Sequence, residues 1–513
     1  MLTSELSRAP ARPILAPPVA EPGREHRRPP ERRRVTHWAV LFVLLAAYVA
    51  LLQVVYRDKV SPVFEYLNLL YRSPDRLNYT VALVLVAVTA LAMPRRIRRP
   101  SDLILWAMFV MVATPSIVVP QYADILPATK ALELAVVVAV VFLLVIWGAR
   151  VGPSWALRVA RLPTSDLWTF LLVVSLLTYG YMAITTGLSF RMVGLGDVWE
   201  IRSVYRDQIA VHGPLLAYLV RLQGNVVNPL LIVRGIYTRR WWMVLLGCLG
   251  QIPIYAATGF KLTLLSIPAI IALTLLFRWR TRPRGSTILL GVVALIVAVL
   301  AVDHLLNGML YTQVFVNRLL LSPGILTAAH VMVFTDLPKA HWGYSFLSPF
   351  VTYPYAETPE FMVGAQMFGQ PQTSANASLF GDGYSNFGYP GVLIEAAVLV
   401  LLLWLVDAAA RHLPLGVSSA ILLVPTVALA NTSVFTSILS NGFAYAILLM
   451  ACLPAVGWSR EGRGRSGGSP PDGPTRRGRH RRDGTAFGGG HRPMSGGSTS
   501  LAIPLSDPPW RYQ

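Results

Sequence analysis

RWRTRPRGSTILLGVVALIVAVLAVDHLLNG (278–308) decides the fold. It opens with four arginines in seven residues and continues as an apolar run over 287–306. A helix needs about 20 apolar residues to cross a bilayer core. Clustered Lys and Arg stay on the cytoplasmic side of a membrane. The run therefore reads as a span that starts inside and ends outside, delivering the chain to an external segment.

The rest of the chain repeats this pattern. Hydrophobic residues make up 54% of the sequence and charged residues only 14%, against about a quarter charged in soluble domains. The apolar runs do not alternate in polarity as membrane β-strands do. The expected fold class is therefore an all-α polytopic membrane protein. A hydropathy reading gives about twelve transmembrane helices, at 37–56, 79–93, 103–119, 132–147, 167–185, 214–233, 241–257, 262–277, 287–306, 392–410, 417–435 and 443–456. The basic connectors are PRRIRRP (94–100), Arg150 with Arg158 and Arg161, Arg234 with Arg239 and Arg240, 278–284, and Arg411 with His412. All fall on one side if both termini are cytoplasmic. Large extracytoplasmic loops are then expected at 186–213 and 307–391. No internal repeat is visible, which counts against an inverted-repeat transporter.

The formal net charge of +20 is concentrated at the ends. Residues 1–36 and 458–513 are rich in Arg, Pro, Gly and Ser and read as disordered cytoplasmic tails flanking a membrane domain at 37–457. They fix topology and touch anionic lipid; nucleic acid is not an expected partner. The first apolar run is long enough to span and has no clear small-residue cleavage site, so no cleavable signal peptide is expected. Cys248 and Cys452 lie inside predicted spans and offer neither a disulfide nor a metal constellation. Neither a metal nor a cofactor is expected.

Several polar groups stand out. In GLGDVWEIRSVYRDQIAVHG (194–213), Arg202 and Arg206 lie four apart on one helix face. They are either snorkelling groups on an interfacial helix or a paired phosphate site, which Arg191 and His212 would join. Arg221, Asn225 and Asn228 form a stripe inside a span, fit either for helix–helix hydrogen bonding or for a wet cavity. Lys261 sits in the tight hairpin ATGFKLTLL (257–265), on the side where lysines are scarce. It is either a snorkeller or a ligand for a phosphate arriving from the outer leaflet. In the long segment, Arg318 precedes a Pro-Gly break between two expected helices. His330, His341, Asp336 and Asp382 are candidate bases, each also explicable as structural. The aromatics of this segment, Trp342 and Tyr384 among them, suit a sugar-binding surface.

These stretches resemble a family. RLLLSPGILTAAHVMVF (318–334), GYSFL (343–347) and SLFGDGYSNFGYPGVLIEAAVLVLLLWL (378–405) look like the Wzy-type O-antigen or oligosaccharide repeat-unit polymerases. DVWEIRSVYRD (197–207) and TGFKLTLL (258–265) fit the same pattern. The resemblance covers about residues 185–410 and leaves the basic C-terminal tail unexplained. It implies a metal-independent glycosyltransferase of the cytoplasmic membrane. Such an enzyme moves a glycan from polyprenyl pyrophosphate to a sugar hydroxyl of the next lipid-linked repeat unit, with a flippase and a chain-length regulator as partners. In that reading Arg202, Arg206, Lys261 and Arg318 hold pyrophosphate, Arg221, Asn225 and Asn228 contact substrate, and His330, Asp336 or Asp382 acts as base. A lipid-linked oligosaccharide flippase or other transporter, a glycan ligase, and a GT-C-type glycosyltransferase are the competing readings.

Overall fold

In the computed structural model the described residues are 31–458, apart from 153–154, 156, 158–162, 191–197, 281, 346 and 456. Arg191, Arg158, Arg161, residues 1–30 and the tail from 459 onward lie outside them. Helices form throughout, and among the described residues the only β-type pairings are isolated bridges at Tyr71–Ala123 and Arg96–Arg284. Among the described residues ten helices are long and apolar enough to cross a membrane by length and composition. Three of the expected spans are shorter helices, Arg76–Ala92, Leu415–Leu429 and Phe443–Cys452. The first helix begins at Glu31, so six residues assigned to the N-terminal tail are helical.

The main departure from the sequence reading is Thr312–Phe334. It was expected inside a loop, with a break at Pro-Gly. It is instead one continuous helix that meets the length and composition of a span. Its first part, Thr312–Leu321, is π-helical, and Pro323 falls in the first turn of the α-helical part, Ser322–Phe334. Proline within a continuous helix removes one hydrogen bond to the preceding turn and crowds it. The wide π-turns meanwhile let the chain change register without a break.

This helix and Pro100–Tyr122 form the centre. The most apolar stretch of Pro100–Tyr122 is 94% buried and that of Thr312–Phe334 is 78% buried, against 28% for Gly285–Leu305. The two meet where a methyl group at Gly324 would lie 2.5 Å from the Pro115 carbonyl oxygen. Ser116 and Thr327 hydroxyls pair there at 3.1 Å, and Thr327 continues to Ser378 Oγ at 2.7 Å. Such hydroxyl pairs hold helices together where apolar packing alone has no preferred register.

The two ends of the bundle are tied separately. At one end the basic connectors meet, with Ile97 N donating to Pro283 O at 3.0 Å and Gly285 N to Arg95 O at 3.1 Å. Asp407 accepts from Ser101 N and Oγ at 3.1 and 2.7 Å close by. At the other end Arg72 N donates to Tyr122 O and Asp124 N to Leu70 O, and Asn68 Nδ2 reaches Met367 O at 2.9 Å. Phe64, Tyr66, Leu67 and Leu69, beside Asn68 at this second end, line the cavity described below.

Gly324→Ala should lower stability by about 1–3 kcal/mol, the usual cost of forcing extra volume into a packed contact. Thermal unfolding in detergent measures it, and an unchanged melting temperature would mean the two central helices separate freely.

Candidate functional site

The site is built around the hairpin Thr258-Gly259-Phe260-Lys261. Helix Trp241–Thr258 ends at Gly259 in a left-handed conformation (φ 64), and helix Lys261–Trp279 begins at once. Its first turn has no side-chain cap. The first amides of a helix carry unsatisfied N–H groups and partial positive charge, and here a lysine adds to them. Like charge at that point is unfavourable unless an anion joins it.

Other cations converge on the same hairpin. Arg202, from helix Val198–His212, donates through Nη2 to Gly259 O at 3.3 Å, and its buried Nε has no partner. Arg221, from helix Leu215–Leu222, donates to Ser440 O at 3.2 Å. The two guanidinium carbons lie 5.9 and 6.0 Å from the Phe260 ring centre. Each such contact is worth about 0.5–1 kcal/mol at a partly exposed site, a modest offset to two like charges. Phe260 is held edge-on by Tyr205 at 5.9 Å. Arg318 comes from the π-helical stretch, and no hydrogen bond or ion pair to it is seen among the described residues.

Arg202, Arg221, Phe260, Lys261 and Arg318 line one cavity of about 1290 Å³, together with Arg206 and Asn225. Asn225 is anchored through Nδ2 to Asn441 O at 3.1 Å. Among the described residues five cations face the space, Arg202, Arg206, Arg221, Lys261 and Arg318, and none of those lining it is Asp, Glu or His. Its other walls are apolar (Leu265, Leu295, Leu423, Val427) or carry neutral amides and hydroxyls. Burial, followed by the positive field of Arg318, pulls Arg202 below the ordinary guanidinium value. The group still stays charged at any physiological pH, so the lowering records an unpaired cation that an anion would stabilise.

The comparisons give no outside guide. No known family, curated protein or solved structure matches this chain. The resemblance noted above therefore rests on the motifs alone.

Six of the residues singled out in the sequence line the cavity, and the other described ones do not. Asn228 belongs to a separate polar knot. Its Oδ1 accepts from Gln223 at 2.8 Å, and its Nδ2 donates to Tyr179 at 3.1 Å and Gln251 at 3.3 Å. The π-turn Gln223–Val227 lies between it and Arg221 and rotates the expected stripe apart. His330 is fully buried, with Nδ1 on Ser385 Oγ at 2.7 Å and Nε2 on Asn376 O at 3.2 Å. Asp382 is buried too, accepting from Trp342 Nε1 and Tyr344 Oη, each at 3.0 Å, and from Asn386 Nδ2 at 3.3 Å. Trp342 is packed between Phe387 and Phe435. Tyr384 is buried beneath the Lys339 ammonium, 4.6 Å away. Asp336 is exposed and apart from the cavity, as is His212; His341 packs on Phe387. None of the expected bases faces the cavity, and Trp342 and Tyr384 hold the fold rather than a sugar-binding surface.

Burial is the main influence on Asp382 and holds its carboxyl above the usual range. A raised acid binds its proton more tightly when folded. Its contribution to stability is therefore fullest below the unfolded value, about pH 4, and is lost as pH rises through the folded value. Asp382→Asn should flatten the fall of melting temperature with rising pH. An equal slope in both proteins would refute this account of the carboxyl.

Proposed function

We propose that this chain polymerises polyprenyl-pyrophosphate-linked oligosaccharides at the outer face of the cytoplasmic membrane. One observation carries the reading: a large cavity inside a membrane protein whose described lining holds five cations, an apolar wall and no acid. A small-molecule pocket holds about 300–1,000 Å³, so this one has room for more than a phosphate. Its composition matches an amphiphile with a multiply charged anion and a long apolar chain. The end of the bundle that carries the basic connectors would face the cytoplasm, and the cavity, near the other end, would face outward.

In the transfer, an acceptor sugar oxygen bonds to the anomeric carbon as the bond from that carbon to the pyrophosphate oxygen breaks. Negative charge then grows on the leaving pyrophosphate. Arg202, Lys261 and Arg318, which share the cavity lining, would stabilise that charge. Fixed cations acting on developing charge are usually the largest catalytic term. Among the described residues no His or carboxylate lines the cavity to receive the hydroxyl proton. It would pass to a pyrophosphate oxygen or to water, so catalysis is assigned to leaving-group stabilisation and to alignment.

Geranylgeranyl pyrophosphate should bind the purified protein in nanodiscs, and Arg318→Ala or Lys261→Ala should each weaken binding about tenfold or more. Asp336→Asn should leave it unchanged. In cells, deleting the gene should leave surface glycan as single repeats. Absent glycan with internal intermediates would indicate transport instead, and full-length unattached glycan would indicate ligation.

A further inference from the structure

Besides the cations the cavity has a lining of another kind. It comes from GQPQTSANAS (369–378), a run with no charged residue. Gln370, Gln372, Thr373, Ser374 and Asn376 all line the cavity, and none makes a side-chain hydrogen bond within the described residues. Phe361 and Phe368 flank them on the same wall.

The backbone of this strip is fixed while its side chains are free. Gln370 N donates to Gly364 O at 3.0 Å, Thr373 N to Gln370 O at 2.9 Å, and Ala375 N to Glu360 O at 3.0 Å. The buried His330 holds Asn376 O at 3.2 Å. Gly364 makes the close pass workable, since a methyl group there would lie 2.0 Å from Thr373 O. The helix Pro359–Phe368 that carries the strip is itself tied to the first connector through Asn68. Binding to a prefixed strip costs little ordering entropy.

We infer that the strip Gln370–Asn376 is a recognition wall for an uncharged, polyhydroxylated ligand, the glycan part of the amphiphile whose anion the cations hold. A primary amide both donates and accepts, as does a hydroxyl, and vicinal sugar hydroxyls present that same dual pattern. Aromatic faces beside them suit the apolar C–H side of a pyranose ring. An anionic group would find no cation on this wall, and an apolar chain would leave its amides unpaired. The two walls thus sort the two halves of one substrate. The identity of the ligand rests on the function proposed above, whereas the chemistry of the wall stands on its own residues.

The test uses the full chain in nanodiscs, with two probes read separately. Neutral disaccharides (maltose, cellobiose, diacetylchitobiose) are offered at up to tens of millimolar and followed by saturation-transfer NMR, and geranylgeranyl pyrophosphate is titrated in parallel. At least one disaccharide should bind. The double variant Gln370→Ala with Gln372→Ala should weaken it about fivefold or more and leave prenyl pyrophosphate binding within a factor of about two. Gly364→Ala, which displaces the strip as a unit, should act in the same direction. The assignment is overturned if no disaccharide binds, if the double variant binds disaccharide like the wild type, or if it loses both probes equally. Disaccharide binding without prenyl pyrophosphate binding would spare the wall and sink the lipid-linked substrate reading.

Discussion

The crossing of Thr312–Phe334 over Pro100–Tyr122 is the contact on which the remaining structure depends. Gly324 lets the backbones approach until only a hydrogen atom fits against the Pro115 carbonyl. In an apolar solvent, close backbone packing of this kind replaces the hydrophobic drive that holds soluble helices together. The crossing fixes two things at once. Toward its N-terminus, the π-helical part brings Arg318 to the cavity. Toward its C-terminus, His330 reaches Asn376 and Ser385, which fixes the polar strip and the helix Leu379–Phe387. One helix therefore sets the spacing between the cationic wall and the neutral wall.

A second constraint is electrostatic. Cations gathered around one cavity without a carboxylate repel one another, and the described residues supply only carbonyls and the Phe260 ring as partial compensation. Within a low-dielectric bundle that repulsion is stronger than at a water surface. A site of this kind favours bound over empty by a margin that grows with the ligand's charge. The buried Asp382 is not one of the cavity's lining residues and is occupied by Trp342, Tyr344 and Asn386.

Much of this was legible in the sequence, for identifiable reasons. Apolar length marks helices whatever their packing, so most spans were readable. Lys261 and Arg318 were visible because a charge between apolar runs is costly and needs a purpose. The Thr312–Phe334 helix was hidden because Gln313, Asn317 and Arg318 dilute its hydropathy, and because Pro-Gly reads as a break unless a π-turn precedes it. Asp382 and His330 looked catalytic because sequence shows residue type and not burial. The strip at 370–376 was overlooked for the opposite reason. Uncharged amides and hydroxyls in a connector look like ordinary solvated loop, and only their shared cavity with the cations gives them meaning.

The cavity also has a history in time. Its cations come from residues 202 to 318, its neutral wall from 370 to 376, and its last lining residues from Asn431 and Asn441. A chain made from its N-terminus exposes the cations well before the closing pieces exist. Arg221 and Asn225 wait for the carbonyls of Ser440 and Asn441, more than 200 residues downstream. During synthesis these groups must be kept hydrated or shielded by lipid headgroups, and the pocket becomes a pocket only when the final helices insert. Truncations near the C-terminus, remote from the anion site in sequence, would thus leave that site unfinished.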